Sequence, residues 1–310
     1  MTTASEEKNI IPLLIVLLGP TGVGKTALSL SIAEAFNVPI ISSDSRQIFR
    51  EMRIGTAAPT PLELSMVKHF FVGTRSIHEE YSAGNFEQDV LKLLDEHFQN
   101  GKVALLTGGS MMYLDAVCHG MDDIPAVLPD VRSFWTKQYA EHGLVFIQEQ
   151  LLKADPAYYK EVDLMNHKRI LHALEVCSSS GKPFSHFRTG KSKKRPFRIL
   201  KIGLNRHRHE LYDRINQRVD VMMADGLLDE ARSLYEFRHL NALNTVGYKE
   251  IFGYFDGEYD LPKAVELIKR NSRHYAKRQL TWFNRDPEIH WFHPDKKVEV
   301  ISFIQRYIVD

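Results

Sequence analysis

Ile10-Ile11-Pro12-Leu13-Leu14-Ile15-Val16-Leu17-Leu18, followed at once by Gly19-Pro20-Thr21-Gly22-Val23-Gly24-Lys25-Thr26, decides the architecture of this chain. The apolar run has the composition of a strand buried on both faces, and Ala27 to Phe36 reads as a helix. The glycines therefore fall at the strand-to-helix turn that a phosphate-binding P-loop requires. Gly19, Pro20, Thr21, Gly22, Val23 and Gly24 would form the cradle, their backbone N–H groups closing around phosphate oxygens at a positive helix end. Lys25 supplies a point charge, and the Thr26 hydroxyl can ligate Mg²⁺. The expected ligand is a di- or triphosphate.

Outward from this motif, further buried strands are expected at Pro39 to Ser43 and Lys102 to Thr107. Each ends in small or polar residues, where ligands collect in open parallel sheets. From about Ile124 to Lys194 long apolar runs disappear, and Val131 to Gln150 and His167 to Ser178 have helical spacing. Arg198 to Leu204 reads as a strand returning to the sheet. Helices follow over Arg208 to Asp225, Leu228 to His239, Tyr248 to Phe255 and Pro262 to Phe283, then a short strand over Glu288 to Phe292. The fold class is α/β: a P-loop-containing parallel sheet flanked by helices, with an inserted helical domain. Residues 1–123 and 196–310 form the core and 124–195 the insertion.

Composition narrows the function. The two cysteines, Cys118 and Cys177, lie far apart and outside any CxxC spacing, which argues against a zinc ribbon or a disulfide framework and fits a reducing cytoplasm. The apolar run is too short to span a bilayer, and Thr2 to Lys8 is acidic, unlike a signal peptide, so no membrane association is expected. His207 and His209 read as surface residues, and the other histidines show no metal-ligand spacing.

The balance of 40 Lys and Arg against 39 Asp and Glu is neutral overall but uneven locally. Ten Lys or Arg residues and no acid lie between Lys182 and His209. Seven more, with one acid, lie between Lys263 and Arg285, interleaved with Tyr275, Trp282 and Phe283. Basic groups neutralise phosphates while aromatic faces stack on unpaired bases, so the two stretches beside a phosphate site point to RNA; the bland alternative is solvated helix faces with core aromatics.

The segment after the second strand, Ser42-Ser43-Asp44-Ser45-Arg46-Gln47-Ile48-Phe49-Arg50-Glu51-Met52-Arg53-Ile54-Gly55-Thr56-Ala57-Ala58-Pro59, is distinctive. A carboxylate at a strand end beside a P-loop can orient a metal or take a proton from a nucleophile, and spacing does not separate the two. An Asp that only caps the next turn is the structural alternative.

GPTGVGKT, this segment, and Thr107-Gly108-Gly109-Ser110-Met111-Met112-Tyr113-Leu114 together resemble the tRNA dimethylallyltransferase (isopentenyltransferase) family of bacterial type. The resemblance continues through Pro129-Asp130-Val131-Arg132, Lys168-Arg169 with Ala173-Leu174-Glu175-Val176, Val246-Gly247-Tyr248-Lys249-Glu250, and Ala276-Lys277-Arg278-Gln279-Leu280-Thr281-Trp282-Phe283. It covers nearly the whole chain in order.

The resemblance implies transfer of a dimethylallyl group from dimethylallyl diphosphate to N6 of the adenosine next to the anticodon of tRNA, with release of diphosphate. The P-loop would then hold a leaving group, with Lys25 and Mg²⁺ on Thr26 stabilising its charge and Asp44 as a second candidate metal ligand. Asp44 would accept the N6 proton, and Ser110 and Arg132 would belong to the reacting centre. Contacts with the tRNA anticodon stem-loop are implied for Asp44, Ser45, Arg46, Gln47, Ser110 and Arg132. They are also implied for Lys168, Arg169, Ile170, Leu171 and His172, and for Asn244, Thr245, Val246, Gly247, Tyr248 and Lys249. The last group is Lys277, Arg278, Gln279, Leu280, Thr281, Trp282, Phe283 and Asn284. No protein partner is implied, and a monomer suffices.

The chain departs from the family pattern at Ser110 for a usual Thr, Lys168 for Gln, His172 for Arg and Asn284 for Arg. Three rival functions share parts of this pattern. A small-metabolite P-loop kinase would share the pattern of about the first forty residues, an isopentenyltransferase of free adenine nucleotides would not need the basic aromatic helix, and a non-catalytic RNA-binding module would make no product.

Overall fold

The computed structural model describes residues 11–309 of the 310. Ile10 of the apolar run and the stretch Thr2 to Lys8 lie outside the described residues. The chain divides into two compact units, Met1–His119 with Lys194–Asp310, and Gly120–Lys193.

The first unit opens with β1 (Leu13–Leu18), α1 (Lys25–Phe36), β2 (Ile40–Ser42), α2 (Pro61–Met66), β3 (His69–Phe70), α3 (Ala83–Phe98), β4 (Val103–Gly108) and α4 (Met111–His119). The second unit is α5 (Pro129–Ala154), α6 (Pro156–Tyr159), α7 (His167–Ser180) and α8 (Phe184–Phe187). The first unit resumes with β5 (Arg198–Leu204), α9 (Arg208–Ala224), α10 (Leu227–Leu234), α11 (Tyr248–Phe255), α12 (Leu261–Phe283), β6 (His290–Phe292) and α13 (Lys297–Val309).

Six strands form one parallel sheet in the order β3-β2-β4-β1-β5-β6. All six residues of β1 are buried, as a central strand covered on both faces demands. One face packs on α1, α9 and α13 through Leu13, Ile15, Leu17, Ile32, Leu211 and Ile304. The other packs on α3 and α4 through Leu14, Val16, Phe86, Val90 and Leu114. A third cluster gathers Ile48, Met52, Leu227, Ala231, Tyr248 and Ile251, and places α10 and α11 beneath the loop that follows β2. The second unit has its own core around Ile147, Leu151, Ile170 and Leu174.

Four elements differ from the sequence expectation. β3 has two residues, too few for any periodicity. α5 is broken at Gly143, whose φ of 76° is non-helical. The helix expected from Leu228 to His239 ends at Leu234 and continues as a 3₁₀ turn over Tyr235–Phe237. α13 was not anticipated.

Candidate active site

The carboxyl ends of β1, β2 and β4 bring three sequence motifs to one edge of the sheet. Gly19 to Thr26 leaves β1 and runs into α1, which begins at Lys25. Gly22 has φ +79°, and a Cβ there would lie 2.8 Å from Ile215 of α9, so only glycine keeps both the turn and the packing. Lys25 Nζ donates to the carbonyls of Gly19 and Pro20, each at 2.9 Å. Its surroundings disfavour charge. Burial, then the nearby Arg218 guanidinium, pull its pKa from 10.5 down to about 7, while the Asp44 carboxylate acts in the opposite direction. Thr26 is exposed at the helix start.

Asp44 follows β2. Its Oδ1 accepts the backbone N–H groups of Arg46 at 2.9 Å and Gln47 at 3.2 Å, so the carboxylate caps its own turn. Among the described residues no hydrogen bond reaches Oδ2. The cap thus commits Oδ1 and leaves Oδ2 open. Ser110, buried after β4, accepts the Ser45 N–H at 2.8 Å and donates to Ser45 Oγ at 3.1 Å. Burial next to Asp44 pushes the Tyr275 phenol up to about 12, with nearby Ser110 acting the other way. Tyr113 is likewise pushed up to about 12, chiefly by burial.

Several residues expected to meet RNA are occupied within the protein instead. Arg46 donates to the carbonyls of Asn241 and Ala242 at 3.0 and 3.1 Å, and Gln47 to those of Thr56 and Ala57 at 3.1 and 3.0 Å. Gln279, 1 % exposed, accepts the Thr21 N–H at 2.9 Å and donates to the Gly109 carbonyl at 2.7 Å, bracing the P-loop against the end of β4. Tyr248 and Phe283 are core residues, and Gly247 is buried. The reason is helical phase: Ala276, Gln279 and Phe283 lie on the buried stripe of α12. Lys277, Arg278, Thr281, Asn284, Asn244 and Lys249 are exposed; Leu280, Trp282, Thr245 and Val246 are half-buried.

The sequence reading missed two arginines of α9. Arg218 donates to Thr21 Oγ1 and to the Thr56 carbonyl, both at 3.2 Å, and Arg214 donates to the Gly22 carbonyl at 3.0 Å. Arg218 stands close enough to Lys25 and Asp44 for their charges to act on one another, and its burial lowers its pKa from the ordinary value. The i, i+4 spacing of two arginines on the helix after β5 was the available signal, but basic residues on an amphipathic helix read equally well as a solvated face.

Comparison with known proteins places this geometry. The IPP transferase family profile matches residues 47–286. The chain belongs to the IPP transferase family. It is 58% identical to tRNA dimethylallyltransferase 2 of Parabacteroides distasonis over 296 residues, covering 96% of this chain and 99% of that protein. It is 58% identical to tRNA dimethylallyltransferase 1 of Bacteroides fragilis, over 95% and 98% of the two chains. Among solved structures, a tRNA isopentenylpyrophosphate transferase from Bacillus halodurans superposes with a TM-score of 0.69 at 34% identity, covering 95% and 96%. A eukaryotic dimethylallyltransferase described as acting on tRNA gives 0.78 at 25% identity, covering 91% of this chain and 74% of its own.

In this IPP transferase family member the remaining expected residues lie in the second unit. Arg132 of α5 and His172 of α7 meet at Glu175, with contacts of 3.8 and 3.9 Å to its Oε2. Burial and the Arg132 charge lower the His172 pKa, and burial raises that of Glu175. Lys168 and Arg169 are exposed and Leu171 is half-buried, whereas Ile170 is fully buried in the unit's core, so its side chain offers nothing to RNA.

The side chains expected to hold a divalent metal offer hard oxygens, the exposed Thr26 hydroxyl and Asp44 Oδ2. They suit Mg²⁺ chemically. Glu210, His293 and Asp295 also form a metal-sized triad, but Arg206 is bonded to both carboxylates and supplies the positive charge there.

Proposed function

We propose that this protein transfers a dimethylallyl group from dimethylallyl diphosphate to N6 of the adenosine beside the anticodon of tRNA. The observation that carries the reading is a cationic cradle, Lys25 and Arg218 at the P-loop, facing a carboxylate with one uncommitted oxygen. The family likeness over nearly the whole chain supplies the substrate class.

The diphosphate occupies the P-loop, drawing Lys25 Nζ from the loop carbonyls it now meets and restoring its proton. As N6 attacks the first carbon of the dimethylallyl group, the C–O bond breaks and its electron pair leaves on the diphosphate. Lys25, Arg218 and the loop N–H groups stabilise that growing charge. Thr26, with Asp44 as a second candidate ligand, would hold Mg²⁺, which would supply Lewis-acid stabilisation to the departing diphosphate. Asp44 Oδ2 takes the N6 proton, which becomes acidic as the new C–N bond forms. Ser110 and Ser45 fix the turn from which Asp44 acts. Exposed Lys277 and Arg278 on α12, and Lys168, Arg169, Arg132 and His172 in the insertion, would bind the anticodon stem-loop. Adenine leaves its stack at a cost of a few kcal/mol, recovered by new stacking and edge contacts. Among the described residues no helix is long and apolar enough to cross a membrane, and we place the enzyme in the cytoplasm.

Asp44→Asn tests the reading because it keeps the Oδ1 cap and removes the base. Prenyl transfer to unmodified tRNA, read as a gain of one C5H8 unit on adenosine by mass spectrometry of digested nucleosides, should fall by about 10²-fold or more with tRNA binding retained. Near-normal turnover would remove Asp44 from the mechanism. Phosphoryl transfer from ATP to a small acceptor, without prenylation, would favour a kinase.

A further inference from the structure

Glu230, on α10, belongs to none of the motifs that mark the site, yet it is the most heavily bonded carboxylate near it. Its Oε2 accepts the backbone N–H groups of Arg53 at 2.9 Å and Ile54 at 2.8 Å, and its Oε1 accepts Gly55 N–H at 2.9 Å. The fourth donor is the hydroxyl of Tyr248, at 2.6 Å from Oε1. Tyr248 is fully buried, and a Cβ on Gly55 would lie 2.6 Å from its ring, so loop and ring are in direct contact. Three hydrogen bonds accepted by one side chain, itself seated by the fourth, thus fix three successive residues of the loop after β2.

The next residue in that loop is the junction of the active site. The Thr56 carbonyl accepts Arg218 Nη2 at 3.2 Å and Gln47 Nε2 at 3.1 Å. Arg218 reaches onward to Thr21 of the P-loop, and Gln47 donates its backbone N–H to Asp44 Oδ1. One carbonyl therefore joins the cradle to the base, and its position is set by the three amides that Glu230 holds. We infer that Glu230, seated by Tyr248, is a positioning residue: it places the Thr56 carbonyl and through it aims Arg218 at the diphosphate and steadies the Asp44 turn. The inference rests on the proposed reading of the P-loop as a diphosphate site.

Glu230→Gln is the informative change. Its amide NH₂ must face either the Arg53 and Ile54 donors or the Gly55 donor and Tyr248, leaving at least one backbone N–H unpaired. The experiment is a double-mutant cycle read by calorimetric affinity for inorganic diphosphate with Mg²⁺, using Glu230→Gln, Arg218→Ala and the pair. The single change at Glu230 should weaken diphosphate about 10-fold and lower kcat, with the KM for tRNA within about 2-fold of wild type. In the Arg218→Ala background it should weaken diphosphate no further. Tyr248→Phe removes only the fourth donor and should act in the same direction by about 3-fold, and it carries the same cycle if Glu230→Gln does not fold. Independent, additive losses would overturn the role of Glu230 while leaving the diphosphate site intact. Equal diphosphate affinity in wild type and Arg218→Ala, or none in the wild type, would overturn the reading of the site itself and the inference with it.

Discussion

Two lysines of the first unit stand in opposite electrostatic situations. Lys25, at the start of α1, directs its ammonium at two carbonyls and has Arg218 for a neighbour, and its pKa falls to about 7. Lys201 lies in β5, in register with Val16 of β1, and is buried in the sheet. Its ammonium donates to Asp286 at 2.7 Å and Glu288 at 2.8 Å, and these bonds raise its pKa despite burial. The second lysine bonds its counter-charges directly; the first has only the unbonded Asp44 carboxylate nearby, outweighed by burial and Arg218. An enclosed cation with no anion bonded to it is unfavourable for stability, and it is retained where an external anion completes it.

Methionine in place of each lysine separates the two roles most strongly. Lys25→Met should cut prenyl transfer by about 10²- to 10³-fold, the usual loss for one preorganised charge donor, with melting temperature equal to or above wild type. Lys201→Met should do the reverse. Turnover per folded molecule should stay near wild type, while stability falls by about 1–3 kcal/mol, because Asp286 loses its partner and the more exposed Glu288 can regain water. Loss of activity in Lys201→Met at a temperature where it is fully folded would make the contrast wrong.

Stability against pH gives a subtler contrast of opposite sign. The folded pKa of Lys25 lies below its unfolded value of 10.5, so between about pH 7 and 10.5 the unfolded state binds more protons and stability rises with pH. Its full penalty applies below pH 7. Lys201 has a folded pKa above 10.5, so its contribution is fully present below 10.5 and is lost as pH rises through the folded value. Denaturant titrations from pH 7 to 10 should therefore show a positive slope that flattens in Lys25→Met and persists in Lys201→Met. The same displacement predicts proton uptake when diphosphate binds near pH 8, measurable as a dependence of binding enthalpy on buffer ionisation. Enthalpies independent of buffer would mean that Lys25 is already charged in the free protein.

The contrast also shows what sequence carries and what it hides. Lys25 was legible because its spacing from Gly19, Gly22 and Gly24 is fixed by covalent geometry within one turn. The strands of the sheet were legible for a similar local reason: buried parallel strands are continuous apolar runs, and Leu13–Leu18 and Arg198–Leu204 occur where expected. Arg218 and Glu230 were not, since their meaning comes from bonds to loops more than 150 residues away in sequence. Asp44 was half legible: position showed a carboxylate at the strand end, but only the bonds to Oδ1 show which oxygen is committed. In the Lys277 to Asn284 segment, composition suggested one RNA-facing surface, while the helical period assigns Gln279 and Phe283 inward and leaves Lys277 outward.

Lys277 extends the comparison to a third environment, an exposed ammonium that pairs with no carboxylate among the described residues. Exposed to water, it has little burial cost and contributes little to stability. Its expected partner is an RNA phosphate, and displacement of a condensed counterion would be its whole contribution. Lys277→Ala should therefore reduce the slope of log affinity for tRNA against log salt by about one unit and weaken binding several-fold at low salt. Turnover at saturating tRNA and melting temperature should not change. Lys201→Met, compared under the same salts, should leave the slope as it is. An unaltered slope in Lys277→Ala would show that this part of α12 meets no phosphate, and would leave the insertion's Lys168 and Arg169 as the basic groups to test next.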